Sequence, residues 1–270
     1  MEWWQACVLG LVEGITEYLP VSSTGHLLLA QRALGLRSDE AANAYAICIQ
    51  GGAIAAVLWL YRARFAHMLR GVTGRDATGL RLSVALVVAF LPAVVVGLAF
   101  EEKIEAHLFG LWPIVVAWFA GGVALLFAKR WHRGEAPLES LTLRAAFVIG
   151  LFQCLALWPG TSRSLATIAG GLIVGLSMAA AVEFSFLLGL LTLGAATAHK
   201  ALGSGSVMLE EYGAASLAIG FVVAAASAAI AVRWMVAYLR TKGLAVFGVY
   251  RIALAVVVAA LLASGTLPAR

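Results

Sequence analysis

Charge is what this 270-residue chain has least of: 12% of its residues are charged, 62% are hydrophobic, and the mean hydropathy is +0.94. A soluble domain carries about 25% charged residues, so a water-soluble fold is excluded and an integral membrane protein is left. Cysteine is also scarce. Cys7, Cys48 and Cys154 are an odd set, widely spaced in apolar segments, which excludes a disulfide framework or a thiolate metal cluster and reads as small core residues. The formal net charge of +5 and the isoelectric point near 9.4 are not gathered into a basic patch or arginine-rich arm, so nucleic acid is excluded as a partner. No basic leader or small-residue cleavage site precedes Glu13, and the first apolar stretch is expected to stay in the mature protein.

What is present is apolar sequence in lengths that fit a bilayer, about 20 residues each. Six full spans are expected at about 44–61, 82–100, 111–128, 178–200, 212–232 and 245–264. Two further stretches, about 3–34 and 143–176, are broken near their middle by Pro20 and Pro159 followed by small polar residues. Each reads as two half-helices around a loop, and irregular backbone at membrane depth is tolerated only where protein or a wet cavity surrounds it. Basic residues mark cytoplasmic loops: Arg62, Arg64, Arg70, Arg75 and Arg81; Lys129, Arg130 and Arg133 with Arg144; Arg233 and Arg240 with Lys242. Between them, Glu101–Glu105 and Ser204–Glu211 read as outward-facing loops. The alternation closes only if both broken stretches are re-entrant hairpins and both termini lie outside.

Sliding the chain on itself by 139 positions aligns Leu19-Pro20-Val21-Ser22-Ser23 with Trp158-Pro159-Gly160-Thr161-Ser162. The expected architecture is therefore an all-α membrane protein forming one domain over 1–270. Two repeats, about 1–135 and 140–270, each hold one hairpin and three transmembrane helices. An odd number of crossings inverts the second copy, and in such folds the broken elements meet near the midplane. Trp3, Trp4, Trp59, Trp112 and Trp131 fall near span ends, as interfacial anchors do.

The first hairpin carries Glu13 and Glu17, one helical turn apart in apolar sequence. A carboxylate at membrane depth costs several kcal/mol unless it meets a partner, water or a metal, so the pair argues for a site. Projecting from one face, Glu13 and Glu17 suit a hard divalent cation, magnesium or calcium. Ser23 or Thr24 offers a hydroxyl nucleophile and His26 an acid or base. In the second hairpin Arg163 offers a fork of donors matched to phosphate, and Ser162, Ser164, Thr167 and half-helix amides add more. Every role in phosphoryl transfer has a candidate.

The motifs Glu-Gly-Ile-Thr-Glu-Tyr-Leu-Pro-Val-Ser-Ser-Thr-Gly-His (13–26) and Pro-Gly-Thr-Ser-Arg-Ser-Leu-Ala-Thr (159–167) resemble the two signatures of the undecaprenyl pyrophosphate phosphatases of the bacitracin-resistance type. The likeness extends through Ile49–Ile54, Glu183–Leu188 and Phe247–Arg251, covering nearly the whole chain. It implies removal of the terminal phosphate of undecaprenyl pyrophosphate at the outer face of the bacterial plasma membrane, a divalent metal, bacitracin resistance, and recycling of a lipid carrier for wall synthesis. By the resemblance the carboxylates are Glu13 and Glu17, the nucleophile Ser23, the histidine His26 and the phosphate-binding arginine Arg163. Ser162 and Thr167 are supporting groups, and Ser22, Thr24 and Ser164 are assigned to substrate binding. Membrane lipids and a polyprenyl pyrophosphate are the expected partners, with a homodimer allowed. One departure is Leu188–Gly194, where the family carries a proline-containing run.

Other readings of the residues stay open. Ser23 either becomes phosphorylated or orients a water, and His26 is a nucleophile, an orienter or a partner for a buried carbonyl. Arg163 suits an ion pair with a glutamate as well as a phosphate. Glu183 and Tyr250-Arg251 are polar near spans and either line the pocket or pair within it. An inverted-repeat transporter or lipid flippase would use the same architecture. An intramembrane serine protease would leave both glutamates and Arg163 without a role.

Overall fold

The computed structural model describes residues 1–37, 39–108, 110–131 and 134–268, and all of their side chains except those of Glu101 and Glu105. Arg133, one of the loop cations used above to assign sidedness, lies outside the described residues. The described chain is helical, with no strand among its elements. In order these are α1 Trp3–Thr16, α2 Ser23–Ala33, α3 Glu40–Leu60, α4 Arg62–Val72, α5 Ala77–Leu108, α6 Leu111–Leu126, α7 Leu143–Cys154, α8 Arg163–Ile173, α9 Met178–Leu239 and α10 Ala245–Ala263. Short 3-10 turns occupy Ala128–Arg130, Leu138–Ser140 and Leu155–Leu157.

Each broken stretch is two short helices joined by a turn. At 1.5 Å per residue, helices of 14 and 11 residues (α1, α2) and of 12 and 11 (α7, α8) are each too short for the roughly 30 Å hydrocarbon core. Four helices among the described residues are long and apolar enough to cross a membrane: α3, Ala77–Phe100 of α5, α9 and α10. The difference from the six expected spans lies in α6, which has only 16 residues, and in α9, which holds two expected spans. The outward loop expected at Ser204–Glu211 is helical. Its small polar residues look like loop sequence, but the buried Ser204 hydroxyl donates to Glu40 at 2.7 Å, and the backbone leaves helical geometry only at Gly213 (φ 76°, ψ 155°). Glu101–Glu105 likewise continues α5, and the basic loop after α3 contains the amphipathic helix α4.

Two compact units emerge, Met1–Leu19, Ser23–Phe65 and Gly189–Met235 in the first, and Pro20–Ser22, Ala66–Leu188 and Val236–Arg270 in the second. Both draw on each half of the sequence. In the first unit α9 packs on α1 and α3 at glycines: a Cβ at Gly10 would lie 2.5 Å from the Gly220 carbonyl oxygen, and one at Gly52 would collide with that of Phe221. Small residues let membrane helices approach this closely. Leu9, Leu27, Tyr45 and Ile49 fill the core there, and the Tyr45 hydroxyl donates to the Ser216 carbonyl at 2.9 Å. In the second unit α6 packs on α10, and α7 on both α5 and α8. Gly122 faces the Gly248 carbonyl at 2.9 Å from a would-be Cβ. Apolar side chains stand outward, Leu98 and Ile230 each 71% exposed, as they do where lipid rather than water is the solvent. Trp59, 53% exposed, lies against the guanidinium groups of Arg62 and Arg233 at 5.5 and 5.1 Å, a fitting arrangement for an interfacial anchor.

At the corner between α4 and α5, Asp76 accepts hydrogen bonds from the backbone of Gly79 and Thr78 and from the Thr78 hydroxyl, and pairs with His67 at 2.6 Å. The Gly79 amide above all, then Thr78 and His67, holds the carboxyl down at about 2, below its ordinary 3.8. The folded value lies below the unfolded one, so this stabilisation is present above about pH 4 and is lost as the pH falls toward 2. Thermal unfolding of the wild type is expected to weaken across that window by more than that of Asp76→Asn. Parallel curves for the two proteins would refute the anchor.

Candidate active site

The first turn is built from buried polar residues. Helix α1 ends at Thr16, and Glu17 caps it with its amide bonded to the Glu13 carbonyl at 2.9 Å. Glu13 is completely buried, and Glu17, Ser22 and Ser23 nearly so. The chain then reverses through Tyr18–Val21, and Ser22 takes φ 73° immediately before α2. A non-glycine residue in that region costs about 1–3 kcal/mol and persists only where its surroundings impose it. The reversal returns Ser23 to Glu17, and the Ser23 hydroxyl donates to Glu17 Oε2 in a buried hydrogen bond. Thr24 is exposed and His26 half-buried on the first turn of α2.

The oxygen set fits a hard cation. Glu13 lies in the last turn of α1, Glu17 four residues on is its C-cap, and the Ser23 hydroxyl is beside Glu17. Among the described residues no group of three or more His, Cys, Asp or Glu side chains comes together. A cation bound there would complete its shell from hydroxyl, water and phosphate oxygens, as magnesium commonly does.

The second turn repeats the plan. After the 3-10 turn at Leu155–Leu157 the chain reverses, and Ser162 takes φ 76° immediately before α8. Its hydroxyl caps α8 by accepting from the Leu165 amide at 3.3 Å and lies 3.0 Å from that of Ser164, which is fully buried. Arg163, half-buried, donates from Nη1 to the Ser185 carbonyl at 2.9 Å. The Thr167 hydroxyl donates to the Arg163 carbonyl at 2.9 Å and lies 2.7 Å from the Ser185 hydroxyl.

In the backbone the two turns correspond at a different offset from the one their prolines give. Matching proline to proline gives an offset of 139, but the strained serines, Ser22 and Ser162, and the helices that follow them correspond at 140. That offset also pairs Gly10 with Gly150, where a Cβ would lie 2.5 Å from a neighbouring helix's carbonyl oxygen in each case. In that alignment the buried Gln153 takes the sequence position of Glu13, and Arg163 that of Ser23. Gln153 and Ser185 went unnoticed in the sequence; Gln153 becomes visible once the offset is 140, and Ser185 lies inside the noted Glu183–Leu188 run. Tyr250 and Arg251 part company: Tyr250 is 45% exposed, whereas Arg251 is completely buried and bonds only carbonyl oxygens. Glu183 is half-buried.

Residues 6–257 match the family described as bacitracin resistance protein BacA. Among curated proteins the chain is 47% identical to an undecaprenyl-diphosphatase of Sorangium cellulosum, over 96% of this chain and 86% of that one. It is 44% identical to undecaprenyl-diphosphatase 2 of Rhodospirillum rubrum, over 97% and 95%. An undecaprenyl-diphosphatase of Deinococcus deserti is 40% identical, over 99% and 98%. With a family match spanning both hairpins and relatives aligned almost end to end, this chain belongs to the bacitracin resistance protein BacA family.

Proposed function

We infer that this multi-pass membrane protein is an undecaprenyl-diphosphatase: it hydrolyses the terminal phosphate of undecaprenyl pyrophosphate, returning undecaprenyl phosphate to wall synthesis and conferring bacitracin resistance. The observation that carries the mechanism is the hydrogen bond from the Ser23 hydroxyl to the Glu17 carboxylate, a nucleophile held by its base. Glu17 takes the Ser23 proton as the Ser23 oxygen attacks the terminal phosphorus. The bond from that phosphorus to the bridging oxygen breaks, and undecaprenyl phosphate leaves. Water then releases phosphate from Ser23, with the proton held on Glu17 returning to the serine oxygen. Arg163 binds the non-bridging oxygens, aimed by the Ser185 carbonyl, and Ser22, Thr24, Ser162 and Ser164 supply further donors. Thr167 steadies Arg163 through Ser185. His26, on the first turn of α2 with Ser23, orients the incoming phosphate. Magnesium or calcium held by Glu13 and Glu17 would neutralise the charge of the pyrophosphate, the main requirement of phosphoryl transfer.

The architecture belonging to this reading is an inverted repeat with two re-entrant hairpins, the site opening to the outer face of the bacterial plasma membrane. Every residue given a role here belongs to one chain, and a homodimer is compatible with that. The test is phosphate release from a polyprenyl pyrophosphate by purified protein in detergent. Release with magnesium, loss with chelator and recovery on adding magnesium back are expected. No release by folded, lipid-bound wild type would overturn the enzyme reading in favour of a transporter or lipid flippase.

A further inference from the structure

Arg251 is the one charged residue of α10 and is completely buried. A guanidinium at membrane depth is costly unless it is well paired, so its hydrogen bonds have to be good. It has five N–H donors, and each has a carbonyl. Nε donates to Trp118 at 3.3 Å, Nη1 to Pro20 at 3.2 Å and Thr161 at 3.1 Å, and Nη2 to Ala117 at 2.8 Å and Gly160 at 2.9 Å. With every N–H spent on backbone, Arg251 is neither a phosphate ligand nor the partner of a glutamate.

Two of the carbonyls belong to α6 and three to the two turns. Pro20 and Gly160 correspond at the offset of 140, each lying two residues before a serine at positive φ, Ser22 or Ser162. One guanidinium thus takes the same carbonyl from both turns. Helix α6 reinforces the arrangement: the Trp118 indole donates to the Val21 carbonyl at 3.1 Å, and the Trp158 indole of the second turn donates to the Pro113 carbonyl at 3.1 Å. Gly121 leaves the space in which the guanidinium lies, since a Cβ there would collide with Nη2.

We propose that Arg251 is a positioning residue: its guanidinium locks the turns Pro20–Ser22 and Gly160–Ser162 against α6 and so sets the starts of α2 and α8, which carry Ser23 and Arg163. The catalytic consequence rests on the phosphatase reading, whereas the locking of the turns does not. A lysine at 251 offers three donors from one nitrogen and cannot span five carbonyls. Gly121→Ala keeps the guanidinium and displaces it.

The test compares wild type, Arg251→Lys and Gly121→Ala by steady-state kinetics on a polyprenyl pyrophosphate, thermal unfolding and amide hydrogen exchange in detergent. Misplacement by about 1 Å costs on the order of 10²-fold, so kcat is expected to fall that far in both variants while KM moves by less than about threefold. Exchange is expected to rise in peptides covering Leu19–Ser23 and Trp158–Arg163, with the interiors of α6 and α10 protected as in wild type. Wild-type kcat in either folded variant would overturn the proposal. So would exchange rising throughout α6 and α10 in step with lost thermal stability, the mark of a merely structural arginine. Should Arg251→Lys not fold, Gly121→Ala decides. An inactive wild type would remove the phosphatase reading, and the exchange pattern would still decide whether the turns are locked.

Discussion

Glu17→Gln is expected to lower phosphate release about 10³-fold, within the 10²–10⁴ that a positioned base contributes. Gln keeps the length and planarity of the side chain and still accepts the Ser23 hydrogen bond, but it does not take up the proton at neutral pH. The loss therefore falls on kcat, with the fold intact. Ser23→Ala removes the attacking oxygen and is expected to cost at least as much. Because the hydroxyl and the carboxylate form one hydrogen-bonded unit, the double variant should be no slower than the worse single one, the non-additivity of residues that act together. The measurement is the four-way comparison of kcat in detergent, with acid-quenched wild type checked for phosphate on Ser23. Ser23→Ala within tenfold of wild type would assign the attack to water instead. Multiplying single effects would mean that Glu17 serves the reaction without Ser23, as a metal ligand alone would.

That pair was only half legible in the sequence. Two glutamates a turn apart in apolar sequence, ahead of Pro20, announce a buried site because nothing else justifies their cost. The pairing of Glu17 with Ser23 across six residues needs the reversal at Tyr18–Ser22, which depends on the positive φ of Ser22. Local pattern gave no reason to expect a serine there, since that conformation is normally left to glycine. The broken helices were legible for the opposite reason: Pro20 and Pro159 each stand next to small polar residues near the middle of an apolar stretch, a combination that a helix interior disfavours, whereas Pro92 alone does not end α5. The run at Ser204–Glu211 misled because composition cannot distinguish a polar loop from a polar helix face whose serine finds Glu40. Least legible was Arg251. Its partners Pro20 and Gly160 lie 231 and 91 residues away, and backbone carbonyls have no signature in a sequence.

Arg163→Lys is expected to lower kcat/KM by roughly 10²–10³-fold, the value of one preorganised donor facing developing charge. Lysine keeps the charge, so a loss of this size would show that the planar fork, not positive potential alone, is what the phosphate requires. The geometry also separates Arg163 from its supports. The Ser185 group that aims the guanidinium is a backbone carbonyl, which no substitution at 185 removes, whereas the Thr167 contact is made by the Ser185 hydroxyl. Thr167→Val deletes that hydroxyl contact and the bond to the Arg163 carbonyl while leaving the guanidinium anchored. Its expected cost is about tenfold or less, that of an ordinary hydrogen bond. Kinetics on a polyprenyl pyrophosphate for the two variants, with unfolding curves to confirm the fold, order these roles. Equal losses would place the Thr167 hydroxyl on the phosphate itself, and a fully active Arg163→Lys would make Arg163 a source of charge and nothing more.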